Sequence, residues 1–189
     1  MKELQLDNSK IVYRPTVSGK LARLILPTLQ RMLPFSLYRA LYGALYTLYK
    51  VALRYQYFLK LIVILGFGGK SDKKKVLLTW KLLPYTMGGR KALENAFDVV
   101  LACENSNIPG ALVECGVAQG GTAGMMAMAN IALGESEREK WFFDSYEGLP
   151  EPTAEDYKNG KTGEFIRPLP KGSCLGTYEQ VSQLMFDRL

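Results

Sequence analysis

Apolar residues recur at steps of three and four along residues 33–67. Leu37, Leu41, Leu45, Leu48 and Ala52 form one stripe, and no proline interrupts after Pro34, which predicts a helix. Tyr38, Tyr42, Tyr46 and Tyr49 repeat the spacing one position later, so the apolar face is widened by rings whose hydroxyls can stay near water. Leu61 to Gly69 is wholly apolar but nine residues long, roughly half of the ~20 that a membrane-spanning helix needs. Lys73, Lys74 and Lys75, beside Gly68, Gly69, Ser71 and Asp72, are expected to form a polar linker between a helical region, 1–70, and a second region, 71–189.

Beyond that linker the periodicity changes. Arg90 to Asn105 puts Leu93, Ala96, Phe97, Val100 and Leu101 on one face, the pattern of an amphipathic helix, and Asn107-Ile108-Pro109-Gly110 breaks it. Ala111 to Val117 is expected to be a short apolar strand, followed by a glycine-containing turn. Ala123 to Leu133 reads as the next helix, and Trp141 to Asp144 as a second strand ending in an acid. Ala154 to Ser173 has the composition of a loop, and Thr177 to Leu189 suggests one last helix with Val181, Leu184 and Met185 on a face.

Composition narrows the chemistry. With 48% hydrophobic and 22% charged residues, the 189-residue chain has the make-up of a folded protein rather than a disordered one. Its three cysteines, Cys103, Cys115 and Cys174, are widely spaced and contain no C-x-x-C pair, which fits a reducing compartment and a cytoplasmic location. Histidine is absent, so Ser-His-Asp and Cys-His catalysis and every histidine-containing metal site are excluded within this chain.

The charge of +6 is unevenly distributed. Between Asn8 and Ser71 there is no acid, whereas Lys10, Arg14, Lys20, Arg23, Arg31, Arg39, Lys50, Arg54, Lys60 and Lys70 are basic; from Asp72 onward 13 Lys or Arg face 16 Asp or Glu, a net of −3. Two uses of residues 33–70 fit. One is a helix lying peripherally on an anionic membrane surface; the other is an extension packed on the domain or on a second subunit in a homo-oligomer. Nucleic acid is not an expected partner.

The order helix, strand, glycine turn, helix, strand, acid is the opening of a Rossmann-like nucleotide site. Gly116, Gly120 and Gly121 remove Cβ atoms where backbone must approach a ligand, and the free N–H groups near Gly121 and Thr122 suit an anionic group. Asp144 is placed to accept hydrogen bonds from a ribose diol. The turn reads E-C-G-V-A-Q-G-G rather than G-x-G-x-x-G. Glu114, two residues before the first glycine, would repel a pyrophosphate and attract a cation, which favours S-adenosylmethionine over NAD. An ordinary tight turn is the plainer account of the glycines, as core packing is for Tyr85 and Met87 and turn capping for Ser145.

Four segments in register, Tyr85-Thr86-Met87, Ile108 to Val117, Gly120-Gly121-Thr122 and Phe143 to Pro152, resemble the macrocin O-methyltransferase family; the Asp144-Ser145-Tyr146-Glu147-Gly148-Leu149-Pro150 run is the most specific of them. The resemblance implies an α/β, Rossmann-like methyltransferase fold with an incomplete sheet and a helical N-terminal extension. It also implies an S-adenosylmethionine-dependent O-methyltransferase acting on a small-molecule hydroxyl. Tyr85, Thr86 and Met87 would lie along the methionine part of the cofactor, Glu114, Gly116, Gly120, Gly121 and Thr122 would form the turn, and Asp144 with Ser145 would hold the ribose. At Ala118-Gln119 the sequence departs from the aromatic-arginine pair common in the family.

The family's magnesium-binding aspartates lie on later strands, so magnesium ligands are expected beyond residue 189. Glu147, Glu151, Glu155 and Asp156 are read as a solvated acidic loop, and no catalytic residue is assigned. A sheet of this type needs more strands after Asp144, so the chain is expected to be partial or to complete its sheet with a partner. An NAD-dependent enzyme and a non-catalytic, membrane-associated interaction protein remain the alternatives.

Overall fold

The computed structural model describes residues 25, 28–29, 32–134, 137–153, 156 and 171–189. The basic positions Lys10, Arg14, Lys20, Arg23 and Arg31, the acid Glu155 and most of the loop expected over 154–173 lie outside them. Contacts divide the chain into two units, 1–49 and 50–189, and the division falls inside the first helix.

That helix, α1, runs Phe35–Phe67, starting after Pro34 as the pattern predicts. In the first unit Leu37, Leu41, Leu45 and Leu48 are exposed, and the tyrosines form a ladder: ring centroids are 6.1 Å apart for Tyr38–Tyr42 and again for Tyr42–Tyr46. Spacing of three and four residues is what brings these rings into contact on one helix face.

In the second unit α1 continues with Leu53, Tyr57 and Leu61 buried in the main core. The Tyr57 hydroxyl donates to Glu94, Lys60 lies 3.7 Å from the same carboxylate, and the Arg54 guanidinium stands 4.9 Å from the centre of the Trp80 ring. Burial and the Glu94 contact push Tyr57 up to about 12.

The polar linker expected at Lys73–Lys75 is instead the first half of a helix, α2, Lys70–Leu82. Lysine favours helix, and the apolar residues just downstream provide a face to bury: Val76, Leu78 and Leu82 enter the core. Lys75 pairs with Asp98 at 2.5 Å. A 3-10 turn, Leu83–Tyr85, leads to α3, Gly89–Asn105, whose Leu93, Phe97 and Val100 are buried as the periodicity predicts. Each such side chain contributes about 1.5–3 kcal/mol on burial.

The strands are β1, Leu112–Cys115, and β2, Lys140–Phe143, joined through α4, Gly121–Leu133. They pair in parallel, with Leu112 opposite Lys140, Val113 opposite Trp141, Glu114 opposite Phe142 and Cys115 opposite Phe143. Leu112 is buried on the helix-covered side, while Val113, Trp141 and Phe143 are exposed on the other. Among the described residues the architecture is therefore helix-rich α/β with a two-stranded parallel sheet. The single helix expected over 177–189 is a six-residue α-helix, α5, Tyr178–Gln183, and then a π-helical turn, Leu184–Arg188. Thr177 starts it with a capping box, its hydroxyl accepting from the Gln180 N–H and the Gln180 side chain accepting from the Thr177 N–H.

Candidate functional site

Parallel pairing brings the carboxyl ends of β1 and β2 side by side, and with them the two acids singled out in the sequence. The Gly116 N–H donates to the Phe143 carbonyl at 2.8 Å, carrying the ladder one residue past β1. The chain then turns. Gly116 has φ +94° and Gly120 φ +85°, values that favour glycine, and Gly120 is the residue from which α4 starts. Ala118 adopts φ +46° between them.

Asp144 holds this turn. Its carboxylate accepts from the Ala118 N–H at 2.8 Å and from the Tyr146 N–H at 2.9 Å, one bond on each oxygen. These backbone donors, Ala118 foremost, keep its pKa below the ordinary 3.8. An ionised carboxylate has about four acceptor positions, so both oxygens retain capacity for a ligand.

Glu114 differs. Burial lifts its pKa to about 7, opposed by the Ala123 N–H in the first turn of α4 and reinforced by the charge of Asp144. Its Oε2 is buried and has no hydrogen-bond partner. A buried acceptor without a donor is costly, and a cation or N–H donor from a ligand would satisfy it.

Tyr85 and Thr86 are brought to the same place from the other side. A Cβ on Gly121 would stand 2.7 Å from the Tyr85 carbonyl oxygen and 2.9 Å from the Thr86 Cβ, so the absence of a side chain there lets the two segments touch. Thr86 is buried and its hydroxyl accepts from the Gly88 N–H at 3.2 Å, whereas Met87 is half-exposed. Arg188 donates to the Tyr85 hydroxyl at 2.6 Å, and Tyr85, Gln119, Gln180 and Arg188 help line a cavity of about 320 Å³. Thr122 follows Gly121 in the first turn of α4. The Ser145 hydroxyl accepts from the Glu147 N–H at 3.3 Å, so it caps the turn after β2.

A larger cavity, about 620 Å³, lies at the opposite, amino ends of the strands beside Arg138. Ligands of open parallel sheets bind at the carboxyl ends, the end at which Glu114 and Asp144 stand. Among the described residues no three Cys, Asp or Glu side chains stand together as a metal site.

The sequence model of the macrocin-O-methyltransferase (TylF) family matches residues 24–167. The chain belongs to this family. It is 36% identical over 93 residues to 8-demethyl-8-(2,3-dimethoxy-alpha-L-rhamnosyl)-tetracenomycin-C 4'-O-methyltransferase of Streptomyces olivaceus, a match covering 48% of this chain and 36% of that protein. It is also 36% identical over 78 residues to demethyldecarbamoylnovobiocin O-methyltransferase of Streptomyces niveus, covering 41% of this chain and 30% of that one. The chain thus spans about a third of the length of the curated relatives it matches. No solved structure matches it.

Within this macrocin-O-methyltransferase family member, the sequence picked out the acids, the glycines and Tyr85-Thr86, which the fold gathers. It missed Ala118, whose backbone N–H binds Asp144, because backbone donors leave no trace in residue type. Arg188 was missed for a similar reason: it lies 103 residues from Tyr85, and no local pattern signals that contact.

Proposed function

We propose that residues 71–189 are the S-adenosylmethionine-binding half of a Rossmann-like O-methyltransferase acting on a hydroxyl of a sugar or small metabolite. The observation that carries the reading is the unpartnered, buried Oε2 of Glu114 beside the ionised Asp144 at the ends of paired parallel strands. Two carboxylates at the neighbouring carboxyl ends of β1 and β2 repel a pyrophosphate and suit a ligand with an ammonium group and a ribose. S-adenosylmethionine has both. The names of the two Streptomyces relatives, both O-methyltransferases, support the same class.

When bound, the cofactor supplies a methyl group activated on a cationic sulfur. The chain's own residues hold it. Glu114 faces the ammonium, Gly116 leaves the backbone open to it, and the spare acceptor positions of Asp144 take the ribose hydroxyls. The N–H groups at Gly121 and Thr122 receive the carboxylate, and Tyr85, Thr86 and Met87 border the methionine part. Ser145 supports the ribose contact through its turn. Holding donor and acceptor in line supplies much of the rate in such a transfer.

Isothermal titration with S-adenosylmethionine and, separately, NAD tests this. Binding of S-adenosylmethionine alone, weakened at least tenfold by Asp144→Ala, is the outcome the reading requires. Binding of NAD in its place sinks it.

A further inference from the structure

The second half of α1 buries one face and leaves the opposite face both apolar and uncovered. Leu53, Tyr57 and Leu61 point into the core, while Tyr55, Leu59, Ile62, Val63 and Leu65 are exposed and Phe67 is 95% exposed at the helix end. From residue 51 to residue 67 the only charged residues are Arg54 and Lys60, and both turn toward their own domain, onto Trp80 and Glu94. Apart from these two, which stay partly exposed beside it, the ridge carries no charge, and it ends in an aromatic ring.

Directly after that ring come Gly68 and Gly69, and then the first turn of α2. Lys70, Lys73 and Lys74 share one face of that turn by their spacing, with Lys70 and Lys74 exposed. Lysines at a helix N-terminus oppose the helix dipole, and Asp72 is the one acid in that turn. Positive charge is thus concentrated beside the apolar tip, in a place where it weakens the helix unless an anion lies against it.

We propose that this hairpin tip docks on an anionic phospholipid bilayer, with Ile62, Val63, Leu65 and Phe67 entering the acyl boundary and Lys70, Lys73 and Lys74 on the headgroup phosphates. The helix does not cross: no helix among the described residues is long and apolar enough to do so. An apolar ridge with cations at its border is the arrangement that interfacial helices use. A second copy of the chain is a poorer occupant, because self-pairing through this tip sets the three lysines of one copy close to those of the other. Among the described residues the exposed sheet face around Trp141 has Lys140 beside it but no cluster of lysines. Lys50, Arg54 and Lys60 face the domain: Lys50 donates to the Pro84 carbonyl at 3.2 Å, and Arg54 and Lys60 lie on Trp80 and Glu94.

The inference does not depend on the cofactor reading and is tested apart from it. The full chain is sedimented with vesicles of phosphatidylcholine alone and of phosphatidylcholine with phosphatidylglycerol. Binding to the anionic vesicles, weakened by salt and abolished by Val63→Ser with Phe67→Ser, supports it. Lys70→Gln, Lys73→Gln and Lys74→Gln are each expected to weaken binding roughly five-fold, and because these side chains lie on the surface their variants keep the test valid if the apolar ones misfold. A folded chain that ignores both vesicles overturns the proposal, and so does equal binding to both. Dimerisation in sedimentation velocity that is lost with the same serine variants, without vesicle binding, assigns the face to a second copy and overturns it too.

Discussion

Gly121 and Tyr85 touch through their backbones: a Cβ at position 121 would lie 2.7 Å from the Tyr85 carbonyl oxygen, well inside van der Waals contact. The space exists because residue 121 has no side chain, and it puts the segment before α3 against the first turn of α4. Gly121→Ala must therefore push the two apart. Overpacking of this kind costs about 1–3 kcal/mol. Urea denaturation should show that loss, and S-adenosylmethionine affinity should fall with it. Gly43→Ala, inside α1 where a Cβ meets nothing within 4 Å, should not destabilise the protein, alanine being the better helix former, and should leave the affinity unchanged.

Asp144 serves the fold before it serves a ligand. Its depressed pKa arises from the Ala118 and Tyr146 N–H groups, so its stabilising contribution is present above the unfolded pKa and is lost as pH falls through the folded one. Asp144→Ala should cost about 1–2 kcal/mol at neutral pH and flatten the acid limb of the stability profile. Thermal unfolding of both proteins from neutral to acid pH measures this, and equal acid sensitivity would show that the two bonds contribute nothing.

Periodicity exposed α3, whose Leu93, Phe97 and Val100 are buried at the predicted spacing; it gave α1 its extent but not its buried face, since Leu37, Leu41, Leu45 and Leu48 are exposed and Leu53, Tyr57 and Leu61 enter the core. It failed at α2, where Lys73, Lys74 and Lys75 imitate a linker: the face they belong to is defined by Val76, Leu78 and Leu82 downstream, and by Asp98 on another helix. Glu114 and Asp144 were legible as acids at strand ends, since an acid closing an apolar run has few structural uses. Their unequal ionisation was not. It depends on which carboxylate meets backbone donors and which is buried, and that is decided by the register of β1 against β2.

Glu114 gives the opposite pH signature. Its folded pKa, about 7, lies above the ordinary 4.5, because burial disfavours the charge. The proton is thus held more tightly in the folded protein. The associated stability is complete below the unfolded pKa and is lost as pH rises toward and through about 7. Glu114→Gln removes that loss, and after allowance for solvent screening the variant should be about 1–2 kcal/mol more stable at pH 8. It should also bind S-adenosylmethionine more weakly, since no carboxylate then faces the ammonium. In the unmodified chain, affinity should rise as pH passes upward through about 7, where Glu114 ionises. Titrations at several pH values separate the two effects, and an unchanged profile in the variant would dissociate Glu114 from the cofactor.

Arg138 fastens the other end of the same strands. It pairs with Glu104 at the end of α3, and its remaining guanidinium N–H groups donate to the Gly110 and Ile108 carbonyls in the approach to β1. Glu104 also accepts from Asn130 near the end of α4 at 3.2 Å. Both charged side chains are less than a tenth exposed. Arg138 itself precedes β2, so one planar group ties the lead-ins of both strands and two helix ends together. Removing it takes the charged partner from a buried carboxylate, and Arg138→Ala should cost about 3–5 kcal/mol. Arg138→Lys keeps the charge but has no fork to reach three acceptors, so it should recover less than half of that loss. Because the lead-ins set the strand register and the register places Glu114 beside Asp144, the lysine variant should also show a displaced Glu114 titration under conditions where it is fully folded. A lysine variant with unaltered stability and an unaltered Glu114 profile would mean that β1 and β2 hold their register without the clamp.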